Sequence, residues 1–230
     1  MKSERESFER CQAFIASNFI DSPDLPERIP VALTLSRESF SRCHEIGDEL
    51  LLRLDQERPH EENKWALFDQ NLIQQVLEDH NLPERLGQYM PEDRDHNLSG
   101  LINEILGVHP NQWRLFHYTC DTIVRLAKVG NVILIGRASH IITREMAHVR
   151  HVRLIAPKED RIKRAGQQLR MSKREAAREV RHRDAASEAY TRSHFDETLS
   201  NPEAYDLVLN TGRLSNSEAV DLLYRLIQRP

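Results

Sequence analysis

The chain has 230 residues, with 32 Lys or Arg against 36 Asp or Glu, 39% hydrophobic residues and a net charge of −4, which excludes disordered and fibrous classes and leaves one large globular domain. Its longest aliphatic run, Val132 to Ile135, is far short of the roughly 20 residues that cross a bilayer, so no membrane segment is expected. Only 8 residues are glycine, about half the usual ~7% share, and they spell neither G-x-G-x-x-G nor G-x-x-x-x-G-K-[ST], which excludes an intact phosphate-cradling loop of either kind.

Residues 1–21 place Phe8, Cys11, Phe14, Ile15 and Phe19 near helical spacing, predicting a short amphipathic helix whose apolar stripe needs burial on its own domain or on a protein partner. Lys2, Glu4, Arg5, Glu6 and Glu9 leave no apolar stretch of the kind a secretory signal needs. Residues 22–30, SPDLPERIP, hold three prolines and predict an extended connector, so the main domain covers 31–230.

From there, short apolar runs alternate with helical patterns. Strands are predicted at Val31–Leu35, Trp65–Phe68, Val132–Ile135, Val152–Ile155 and Leu207–Leu209. Helices are predicted over 45–56, 70–79, 98–106, 111–128, 137–147, 158–169, 173–194 and 216–227. Ser172 with Glu175 and Ser215 with Glu218 have capping-box spacing at two of the helix starts. Strands that are continuously apolar are buried on both faces, and helices between them imply an α/β fold with a parallel sheet.

Ligands of such sheets bind beyond the carboxyl ends of the strands. Here those places hold SRESFSRCHEIG (36–47), DQNL (69–72), GRAS (136–139), APKED (156–160) and NTGRL (210–214). The first has the strand, loop and helix order of a phosphate-binding loop, but Phe40, Arg42 and Cys43 stand where free amides and positive φ angles would be wanted, at about 1–2 kcal/mol each. An ordinary strand-to-helix connection accounts for it as well. Gly136-Arg137 offers a tight turn and a guanidinium fork suited to phosphate, or a surface ion pair. Asp69 reads as a helix N-cap or a ligand-facing carboxylate.

From Arg150 to Arg192 there are 13 Lys or Arg against 6 Asp or Glu, leaving 19 against 30 elsewhere, which suggests an anionic ligand met at one place. Arg170, Arg174, Arg178 and Arg181 form one helical stripe, extended by Arg183 and Arg192, and a solvated face is the usual meaning of such a run. Few aromatics interleave before Tyr190 and Phe195, which counts against a nucleic-acid platform. None of the 11 histidines forms H-E-x-x-H, His148 and His151 read as exposed filler on a basic connector, and no metal site is expected from protein ligands. No serine sits in G-x-S-x-G, so hydrolase readings are weak. Cys11, Cys43 and Cys120, odd in number and widely spaced, fit reduced thiols and a cytoplasmic location.

Taken together, TLSRESFSRCHEIG (34–47), FDQNLIQQVLEDHNLP (68–83), VILIGRASHII (132–142), APKEDRIKR (156–164) and YDLVLNTGRLS (205–215) resemble the cytidylate kinase-like family, relatives of the nucleoside monophosphate kinases. The resemblance implies a three-layer α/β/α phosphate-binding-loop kinase fold with a five-stranded parallel sheet and a helical lid at about 158–195. It implies transfer of a γ-phosphoryl group from ATP, with Mg2+, to CMP or a similar monophosphate. By position, Ser41, Arg42 and His44 would form the donor phosphate loop. Asp69 and Arg137 would face the acceptor, Arg161, Arg164, Arg181 and Arg183 would neutralise the transferring group from the lid, and Asn210 and Thr211 would lie near the donor base. Where the family pattern reads G-S-G-G-R-E-I-G, this chain has Phe40, Ser41, Arg42, Cys43, His44, Glu45, Ile46 and Gly47. His44, mostly neutral at pH 7, is a weak substitute for a fixed cation. Two expectations follow: a phosphotransferase with an altered loop, or an inactive relative that binds nucleotide or regulates a partner.

Overall fold

The computed structural model describes Arg10, Phe14 and residues 30–57, 64–69 and 112–229. The predicted helices over 70–79 and 98–106, all but Pro30 of the 22–30 connector and most of the 1–21 helix lie outside the described residues. Five strands, β1 (Ala32–Arg37), β2 (Ala66–Phe68), β3 (Val132–Ile135), β4 (Val149–Ile155) and β5 (Leu207–Asn210), form one sheet in the order β2-β3-β1-β4-β5. Every neighbouring pair is parallel. The helices are α1 (Cys43–Glu57), α2 (Gln112–Val129), α3 (Ser139–Ile142), α4 (Lys158–Leu169), α5 (Lys173–Phe195) and α6 (Asn216–Ile227).

Alternate residues of a strand point to opposite faces, and both faces here are covered. Leu33, Leu35, Ile133 and Ile135 pack with Ile46, Leu50 and Leu54 of α1 and with Leu223 and Leu226 of α6. Ala32, Val132 and Leu134 pack with Ile123, Leu126 and Ala127 of α2 on the other side. That double burial is why the strands are runs of apolar residues and not alternations. The expected three-layer α/β/α arrangement with a five-stranded parallel sheet is present.

Phe14 joins the second of these clusters, its ring edge-on to Phe68 at 5.9 Å. Arg10 donates to both carboxylate oxygens of Asp55, at 2.8 and 2.7 Å, and its Nε donates to the Trp65 carbonyl at 2.9 Å. Both residues rest on the domain.

Both predicted capping boxes form, with Ser172 and Ser215 accepting from the amides of Glu175 and Glu218. The helix expected over 137–147 is cut to Ser139–Ile142. Gly136, Arg137 and Ala138 all have positive φ, so the chain cannot enter a right-handed helix before Ser139. Strand β4 starts earlier than predicted, at Val149, because the backbone there pairs with Ala32 of β1. His151 therefore sits inside a strand with Nδ1 2.9 Å from Thr34 Oγ1, and His148 Nε2 lies 2.8 Å from the Ala127 carbonyl. Neither is exposed filler.

Helices α4 and α5 form a hairpin, turned at Arg170 with φ 52 and closed by a small cluster of Ile162, Ala165, Ala176 and Val180. Phe40, from the loop after β1, packs against that cluster.

Candidate functional site

The loop after β1 is stitched to its surroundings at nearly every residue. Phe40 and Arg42 hold φ values of 60 and 63, the left-handed conformations that glycines would have supplied. Long-range contacts hold them there. Arg164 Nη1 donates to the Phe40 carbonyl at 2.6 Å, and the guanidinium of Arg183 lies 4.9 Å above the Phe40 ring. Asp184 accepts from the Ser39 amide at 3.0 Å, from Ser39 Oγ at 2.7 Å and from Arg161 Nη1 at 2.6 Å. Arg161 is 6% exposed and also faces Glu38 Oε2 at 3.3 Å. Glu38 in turn accepts from the Ala156 amide at 2.9 Å.

Two residues assigned to the donor loop turn away from it. Ser41 is buried, with Oγ donating to the Glu38 carbonyl at 2.8 Å. Arg42 extends toward the turn after β5, where one of its guanidinium nitrogens donates to the carbonyls of Thr211 and Leu214. His44 stays exposed, with Nε2 3.2 Å from Asp69 Oδ2. The alternative role of Asp69 as an N-cap concerns the helix over 70–79, which lies outside the described residues.

Two cavities open at the carboxyl ends of β1 and β3. The first, about 380 Å3, is bounded by the β1–α1 loop and by His182, Arg183 and Ser187 of α5. The second, about 230 Å3, is bounded by the Gly136–Ala138 turn, His140 and by Ser187, Tyr190 and Thr191 of α5. Arg37, Ala186 and Ser187 line both. Arg137 lines the second, its guanidinium 5.4 Å from the centre of the Tyr190 ring. Beneath this cavity Ser36 Oγ lies 3.0 Å from Arg153 Nη1, and the Tyr205 hydroxyl lies 3.2 Å from Ser36 Oγ and 3.1 Å from His140 Nε2. Burial, with His151, Arg153 and Arg144 adding, holds the His140 pKa down to about 3, so this ring is neutral.

The expected site residues thus separate into groups. Ser41, Arg42, His44 and Arg183 border the first cavity, Ser41 and Arg42 with their polar ends bonded to carbonyls, and Arg137 lines the second. Arg161 and Arg164 act as braces behind the loop, the former with two carboxylates and the latter on a carbonyl. Arg181 is exposed on α5 and lines neither cavity, and Arg170, Arg174 and Arg178 are exposed as well. Thr211 is 1% exposed, with Oγ1 donating toward the carbonyls of Ser41 and Ile155, while the Asn210 side chain accepts from the Gly212 amide at 3.1 Å. Arg37 and Asp184 were missed. A charged residue closing a buried parallel strand was an available signal for Arg37, whereas Asp184 carried none, because its partners lie far away in the chain.

The model of the cytidylate kinase-like family matches residues 32–213, and the chain belongs to that family. Among solved structures, an uncharacterized protein from Eubacterium ventriosum ATCC 27560 is similar with a TM-score of 0.60 and 14% identity, over 87% of this chain and 99% of that one. That likeness bears on the fold alone. A shikimate kinase from Bacteroides thetaiotaomicron is similar with a TM-score of 0.47 and 10% identity, over 86% of this chain and 99% of that one. No curated protein matches the chain.

Proposed function

We propose that this member of the cytidylate kinase-like family is a nucleotide phosphotransferase that moves the γ-phosphoryl group of ATP to CMP or a related monophosphate. The observation that carries the reading is the adjoining pair of cavities, one on the β1–α1 loop and one on the Gly136–Ala138 turn, with Arg37 common to both. Phosphoryl transfer depends on positioning and on positive charge at the moving group, with little covalent chemistry asked of the protein. Two joined anion-compatible compartments under a helical hairpin answer that need.

A triphosphate would meet Arg37 and Arg183 in the first cavity, whose lining also holds Glu38 and Glu45. It does not fit in the usual cradle, because Ser41 Oγ and the Arg42 guanidinium are committed to backbone carbonyls. Magnesium would arrive on the phosphates, since the described residues contain no group of three carboxylate, histidine or cysteine ligands. Among the described residues no helix is long and apolar enough to cross a membrane. A cytoplasmic setting goes with the unpaired thiols of Cys43 and Cys120.

A coupled assay with ATP, Mg2+ and a panel of nucleoside monophosphates tests the reading. Turnover should fall about 10-fold or more in Arg137→Ala, and wild-type turnover no higher than that of the variant would sink it.

One observation favours a second reading, a nucleotide-binding module without catalysis. The Arg42 guanidinium is bonded to the turn after β5, where the family resemblance would put the donor base. Calorimetry separates the two readings: CMP binding without ATP binding, with ATP binding gained in Arg42→Gly, supports the module. ATP binding at micromolar strength in the wild type supports the enzyme.

A further inference from the structure

Arg37 closes β1 at the junction of the two cavities and lines both. Four other arginines around the loop are engaged. Arg161 holds Asp184 and Glu38, Arg164 holds the Phe40 carbonyl, Arg183 holds Glu179, and Arg42 holds two carbonyls. Among the described residues, Arg37 has no hydrogen-bond acceptor and no ion pair. It is half-buried, and a partly desolvated guanidinium with five donors is stabilised only when an acceptor meets it.

The fold makes room for this side chain. Gly136 has φ +79, and a Cβ placed there would stand 2.6 Å from Arg37 Nη1. The guanidinium therefore rests on the bare backbone of the β3 turn, next to Arg137. Protein anions nearby do not neutralise it. Glu38 is turned to the Ala156 amide and Arg161, and the Cys43 thiol, pushed up to about 12 by burial, stays protonated.

We infer that Arg37 is the cation that bridges donor and acceptor phosphates. The inference rests on the phosphotransferase reading. In the transfer, the terminal P–O bond of the triphosphate breaks and leaves its electron pair on the diphosphate. A new P–O bond forms to an oxygen of the acceptor phosphate, and a proton on a monoanionic acceptor passes to solvent. Arg37 forms no bond in this step. Its planar fork can hold one oxygen from each side while charge shifts between them.

The test is calorimetry with two probes, CMP and a bisubstrate compound in which cytidine and adenosine are joined through a polyphosphate chain. Arg37→Gln should weaken the bisubstrate compound about 10- to 100-fold and CMP by a smaller factor, with Arg37→Lys in between and the melting temperature of all three little changed. Gly136→Ala, which crowds the guanidinium without removing it, should weaken the same probe. Equal binding of the bisubstrate compound by wild type and Arg37→Gln overturns the inference and leaves the phosphotransferase reading standing. So does a loss confined to CMP, which would make Arg37 an acceptor anchor only. A wild type that binds CMP but not the bisubstrate compound overturns the bridge as well, and one that binds neither overturns the underlying reading too.

Discussion

The guanidinium of Arg183 lies 4.9 Å above the ring of Phe40, tying α5 to the loop after β1. Phe40 has φ 60 and packs on the Ile162, Ala165, Ala176 and Val180 cluster. Phe40→Gly relieves about 1 kcal/mol of left-handed strain but removes the ring from that cluster, which costs more, roughly 2–4 kcal/mol. The expected outcome is a net loss of about 1–3 kcal/mol in urea denaturation, with faster amide exchange in α4 and α5. Unchanged exchange there would show that Phe40 does not hold the hairpin.

Asp184 carries the second tie. Its carboxylate accepts from Ser39 twice and from the buried Arg161 once. Asp184→Ala leaves those donors short of an acceptor and should lower stability by about 2–3 kcal/mol. Asp184→Asn keeps one acceptor oxygen and should lose less. Similar denaturation midpoints for wild type and Asp184→Ala would mean that Glu38 alone suffices for Arg161.

Two glycines should separate folding from binding. At Gly130, φ +75, a Cβ would stand 2.1 Å from the Pro30 carbonyl oxygen, against backbone that has little freedom to move. Gly130→Ala is expected to lower the melting temperature more than Gly136→Ala does. At Gly136 the obstacle is the end of a flexible arginine, so Gly136→Ala should cost about 1–2 kcal/mol from its backbone angle and weaken ligand binding as well. The reverse order of melting temperatures would count against this account of Gly130.

Acid should destabilise the protein through His140. The ring is 3% exposed, stacked on Tyr205 at 4.8 Å, and its pKa is held down to about 3 from 6.5, first by burial and then by His151, Arg153 and Arg144. Between those values the unfolded chain binds the proton and the folded chain does not. The full stability contribution is therefore present above pH 6.5 and is lost as the pH falls, by about 2 kcal/mol at pH 5. His151, lowered in the same direction by burial, adds to the loss. Denaturation midpoints at pH 7.5 and pH 5 should differ less in His140→Gln than in the wild type. Parallel behaviour of the two proteins would show that the ring takes up its proton without unfolding.

Much of the fold was legible in the chain itself. Val132–Ile135 was predicted with its observed ends, and four other apolar runs fell on the remaining strands, since a parallel strand covered on both faces has no polar side to display. Ser172 with Glu175 and Ser215 with Glu218 marked helix starts that the structure confirms, because a capping box is complete within four residues. The shortened helix after β3 was illegible for a related reason. Arg137 and Ala138 are not residues that announce positive φ, and the surrounding packing decides their conformation.

The sequence by itself determined the α/β class, the parallel sheet and the basic segment that becomes the α4–α5 hairpin, because burial periodicity and capping act within a few residues. It also pointed to the loop between β1 and α1. Only the tertiary structure decided what that loop does: Phe40 packs on the α4–α5 cluster, Arg42 leaves the loop for carbonyls 169 and 172 residues away, Arg161 becomes a brace, and Arg37 is left facing the cavities. A guanidinium goes to whichever acceptors the finished fold leaves unmet within its reach, and segments distant in the chain supply those acceptors.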